Sequence, residues 1–66
     1  MHRLHITLER VDHQFMELYQ VKALDHSIHH DDLPRSVTYN DIWDRRMISD
    51  VVVDCVQSGI NVSFSY

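Results

Sequence analysis

The chain is poor in the residues that punctuate or staple a fold: it has one glycine, one proline and one cysteine. A lone cysteine, Cys55, excludes an internal disulfide. A single glycine, Gly59, excludes a Gly-rich loop able to cradle phosphate. Lysine is nearly absent, with Lys22 alone beside five scattered arginines. Only Arg45 and Arg46 are adjacent, and Asp41 and Asp44 stand beside them, so no clustered basic surface awaits nucleic acid. The longest uninterrupted apolar run, Val51-Val52-Val53, is far short of the roughly 20 residues that span a membrane. No basic start precedes an apolar run, so no secretory signal is expected. With one cysteine, that points to a reducing cytoplasm.

What is present describes a single small folded domain. Of the 66 residues 44% are hydrophobic, and the formal charge is −4, too apolar and too weakly charged for intrinsic disorder. A domain this small buries only about 60% of the surface its unfolded chain exposes. It usually needs a metal, a disulfide or a partner to compensate. Without a disulfide, a second subunit is the favoured supplement, and a homodimer is expected.

Apolar residues at Leu4, Leu8, Val11, Phe15 and Leu18 recur every three or four positions, which predicts a helix over about 7–29. Residues 2–6 alternate and read as extended. A second seam, Val21, Leu24 and Ile28, is rotated from the first and suggests a second neighbour. The rival reading is a hairpin, with Leu4–Val11 and Phe15–Leu24 as strands, but its turn at Asp12-His13-Gln14 lacks glycine. Pro34, within a loop at 31–36, ends whatever precedes it.

A second helix is predicted over about 38–58, capped by Thr38 or Ser36, with Asp41 as a capping-box acid and Gly59 just past its end. Ile48, Val51, Val52, Cys55 and Val56 share its apolar side. The valine run also permits a C-terminal hairpin from Asp50 to Tyr66. Residues 60–66 alternate cleanly and read as a strand that must find a mate, either residues 2–6 or the same tail of another subunit. The expected fold is therefore mainly α: an antiparallel two-helix hairpin with short terminal β-strands. The alternative is a small α+β fold with a C-terminal β-hairpin.

No catalytic set emerges. Cys55 lies on an apolar face next to Asp54, where a thiolate is disfavoured, and the serines fit no nucleophile elbow. The chain is read as a non-enzyme without a cofactor. His26 and His30, four apart, would share a helical face at metal-ligand spacing, against the plainer reading of a solvated helix end. Tyr39, Trp43 and Met47, beside Arg45 and Arg46, have the composition of an interface hot spot. With Val21, Leu24 and Ile28 they are the candidate interaction residues. Asp41, Asp44, Asp50 and Asp54 form a candidate acidic surface, in one version mimicking nucleic-acid charge.

The favoured function is a small acidic regulator or inhibitor, of the kind found in phages and mobile elements, that binds a larger protein of unspecified identity. Two alternatives stand beside it. One is a dimeric DNA-binding regulator using Asn40, Arg45 and Arg46, although nucleic acid is not the expected partner. The other is a metal- or pH-responsive module built on His26, His29 and His30.

Overall fold

A computed structural model describes residues 2–66. The elements run β1 (His2–Arg10), β2 (Tyr19–His26), a 3-10 turn (His30–Asp32), α1 (Arg35–Thr38), β3 (Ile42–Trp43), α2 (Arg45–Gln57) and β4 (Ile60–Ser65). The four strands form one sheet in the order β3-β2-β1-β4. β1 is antiparallel to β2 and parallel to β4, and β2 is antiparallel to β3. The molecule is a small α+β fold, with α1 and α2 on one face of the sheet.

This overturns the mainly α expectation and its helical hairpin. The segment assigned to a helix over 7–29 instead contributes parts of β1 and β2. In β1 the period is two: Leu4, Ile6 and Leu8 are buried while Arg3, His5, Thr7 and Glu9 face the other way. In β2 the register slips opposite Thr7/Leu8, where Ala23 pairs with Thr7 and Val21 with Leu8, leaving Lys22 as an extra residue. This bulge brings Val21 and Leu24 to the same side, so three-residue spacing arises within a strand. The hairpin closes at His13–Met16, whose backbone groups exchange hydrogen bonds of 3.1 and 2.9 Å. Gln14 takes the positive φ of 50° that such a turn requires and that glycine would ordinarily supply.

The second predicted helix starts later than expected. Neither Ser36 nor Thr38 caps it, because residues 35–38 make a separate single turn and Ile42-Trp43 pair with Gln20-Tyr19. The true cap is Asp44, whose side chain accepts from the Met47 amide. The valine run stays helical, because Val51 and Cys55 are fully buried against the sheet and packing outweighs their modest propensity. No C-terminal hairpin forms. Ser58 and Gly59 end the helix, with Gly59 at φ 72° as anticipated, and the chain returns as β4 beside β1. The alternating tail thus takes the first of its two expected mates, His2–Thr7.

Nine buried residues from both layers, Trp43, Leu33 and Val37 among them, form one core, and Val21, Leu24 and Ile28 pack half-buried against it. The seam therefore lies on a strand and the segment after it, covered by the core of its own chain, and not on a helix that needs a second neighbour. The protruding hairpin makes the molecule elongated, 39 × 18 × 17 Å. Among the described residues no helix is long and apolar enough to cross a membrane.

Candidate protein-binding site

Tyr39 follows α1 directly and is 72% exposed. On one side of it lies a cleft of about 340 Å3 shared with Arg35, Ser36, Asn40, Trp43, Met47 and Asp50. A second, of about 330 Å3, lies on the other side and is lined in part by Val21, Leu24, Val37 and Asp41. Five of the six candidate interaction residues therefore converge on one surface, with Tyr39 as the ridge. Ile28 is the exception, and borders a separate depression with His2, His29 and Ile60.

The rigidity of this surface comes from below. Trp43 is buried, held by its place opposite Tyr19 in the sheet, and its indole N–H donates to the Asn40 carbonyl at 2.9 Å. That bond satisfies the one polar atom of the ring and fixes the loop on which Tyr39 stands. The Val21 amide donates to the Asp41 carbonyl at 2.7 Å, tying the same loop to β2. Met47 is set by the helix start, and its flexible thioether suits an adaptable contact. The Ser36 hydroxyl oxygen is shielded from solvent and has no hydrogen-bond partner among the described residues.

The acidic candidates do not form one row. Asp44 is committed to capping, and Asp54 is half-buried; Asp41 and Asp50 are exposed, one bordering each cleft. Arg45 and Arg46 are exposed at the start of α2, and Arg45 approaches Glu17 at 3.9 Å. Asn40 lies in the loop before β3, so it does not share a helix face with the two arginines.

The histidine candidates are neighbours, but on no common helix. His26 ends β2 and His30 opens the 3-10 turn, with ring centroids 5.9 Å apart. The His26 Nδ1–H donates to the Ile28 carbonyl at 2.6 Å, and His29 leans toward Asp31 at 3.9 Å. Among the described residues no group of three or more His, Cys, Asp or Glu side chains is placed to hold a metal ion.

Two features carried no clear sequence signal. Phe15 stands 98% exposed at the hairpin tip, where its place in an apparent apolar stripe concealed it. The sheet face away from the helices is open and polar: His5 bridges Ser63 at 2.7 Å and Ser65 at 3.1 Å, and Ser65 donates to Thr7 at 3.4 Å. Asp25 pairs with His5 in the ladder, yet no ion pair joins their side chains among the described residues, so the serine, histidine and aspartate form no relay.

Burial, aided by Asp54, raises the Cys55 thiol above its ordinary pKa, the opposite of what a nucleophile needs. The Tyr19 phenol is raised by its 2.5 Å hydrogen bond to Glu17. Glu17 also receives Arg10 at 3.4 Å, linking the hairpin base to the start of α2 through Arg45.

Comparison with protein-family models, curated proteins and solved structures gives no match.

Proposed function

We propose that the chain is a small acidic regulator or inhibitor that binds a larger protein through the surface around Tyr39. The observation that carries this reading is the convergence of Tyr39, Trp43, Met47, Val21 and Leu24 on two adjoining clefts. An exposed tyrosine on a rigid, tryptophan-floored support brings large contact area with little side-chain entropy to lose on binding. Clefts on either side would receive apolar side chains of the partner. Arg35, Asp41 and Asp50 at the rims provide charges of both signs for orientation.

The test is recovery of a stoichiometric partner from a lysate of the source cells, run side by side with wild-type protein and Tyr39→Ala. The reading expects a partner that wild-type protein retains and Tyr39→Ala loses by at least tenfold. Equal recovery by both, or no stoichiometric partner, removes it. The homodimer expected from composition stands as a separate proposal, with its surface at the opposite edge of the sheet.

A further inference from the structure

The two edges of the sheet differ. At one edge, β3 is only two residues long and is flanked by Asp41 and Asp44, while the bulged Lys22 interrupts the neighbouring β2. Short length, charge and a bulge are the devices that keep a sheet edge from pairing with another chain. At the other edge, β4 has six residues, no proline and no recorded bulge in its ladder with β1. No residue from Cys55 to Tyr66 is charged, in a chain carrying a net −4. Every second residue of β4 turns its N–H and C=O away from β1, toward that open side.

The layer above is bare at the same place. α1 packs on the flank of α2 that carries Met47 and Asp50. The opposite flank presents Val52 and Val56, one turn apart, with the exposed Val53 beside them on the side turned away from the sheet. Val56 is 67% exposed, and in β4 Val62 and Phe64 are only half covered.

We propose that a second copy of this chain pairs along β4, antiparallel and related by a twofold axis. The two four-stranded sheets join into one, and the valine flanks of the two α2 helices meet above the seam. Charge favours this occupant, because two copies that repel elsewhere meet along the neutral stretch each carries. Layering favours it too: a lone strand from another protein would satisfy the β4 backbone but leave the valine flank uncovered, whereas a second copy brings a strand and a helix together. A twofold axis then closes the pairing at two chains. The inference deepens the homodimer proposal and is independent of the Tyr39 surface.

The test is light scattering on wild-type protein, Val53→Glu/Val56→Glu and Tyr39→Ala at about 100 μM. Both valines are exposed and glutamate is the better helix former, so the double variant keeps its fold, which far-UV circular dichroism checks. Wild-type protein and Tyr39→Ala are expected at twice the 7.9 kDa chain mass, and the double variant at the single mass with an unchanged spectrum. A single-mass wild type, a double variant that stays dimeric, or open-ended polymers would overturn the proposal. Should the double variant lose its spectrum, amide exchange on wild-type protein decides: slow exchange of the outward-facing β4 amides supports the seam, and fast exchange overturns it.

Discussion

The Asp44 carboxylate accepts a 2.8 Å hydrogen bond from the Met47 amide. This contact starts α2 and sets the position of a side chain that walls the cleft beside Tyr39. One capping bond thus serves both the fold and the proposed site.

Asp44→Ala should destabilise the protein by about 1 kcal/mol, the usual worth of an N-cap. Asp44→Ser should recover most of the loss, because a hydroxyl accepts the same bond. Urea unfolding of the three proteins checks this, and equal midpoints for wild type and Asp44→Ala would place the helix start elsewhere.

Phe15→Ala should leave stability within about 0.5 kcal/mol of wild type, as expected for a surface position. Ile6→Ala, at a fully buried position in β1, should cost about 2–5 kcal/mol. In a domain of marginal total stability that is enough to populate the unfolded chain at room temperature. The pair separates the sheet from a helical reading, in which Phe15 would be core.

The same two residues show where the sequence was legible. The extended character of residues 2–6 was visible, as were the strand from Ile60 onward and the role of Gly59, whereas Leu8 was drawn into a helix and residues 2–6 were only one of two mates open to the tail. The β2 pattern was hidden by the Lys22 bulge, which converts a two-residue period into the three-residue step from Val21 to Leu24. Gln14 at positive φ hid the turn, because the residue type that normally announces it is missing. In the site, residue composition alone singled out Tyr39, Trp43 and Met47. Their union with Val21 and Leu24 depends on β3 pairing with β2, a two-residue contact with no local signature.

Gly59→Ala should cost about 1–2 kcal/mol. The new methyl group meets nothing within 4 Å, so the whole effect is the strain of a left-handed φ on a residue with a Cβ. Thermal unfolding checks it, and an unchanged midpoint would show that the helix ends in another conformation.

Cys55 should resist alkylation in the native state, with iodoacetamide modification accelerating in proportion to the unfolded fraction as urea is added. The raised thiol pKa also fixes a sign. Below the ordinary thiol value both states hold the proton. Above it the unfolded chain loses its proton before the folded one, so this contribution to stability is full below about pH 9 and is lost as pH rises beyond it. Cys55→Ala should make the decline in the urea midpoint shallower and shift its onset toward the Tyr19 range, whatever its cost at neutral pH.

The most direct measurement on the central claim is photocrosslinking from position 39. With a benzophenone side chain replacing Tyr39, irradiation of the protein in its source-cell lysate should join it to one discrete larger protein. A benzophenone in place of Lys22, at the bulge on β2, should give no such product. A product of equal yield from both positions, or none from position 39, would contradict a protein-binding surface built around Tyr39.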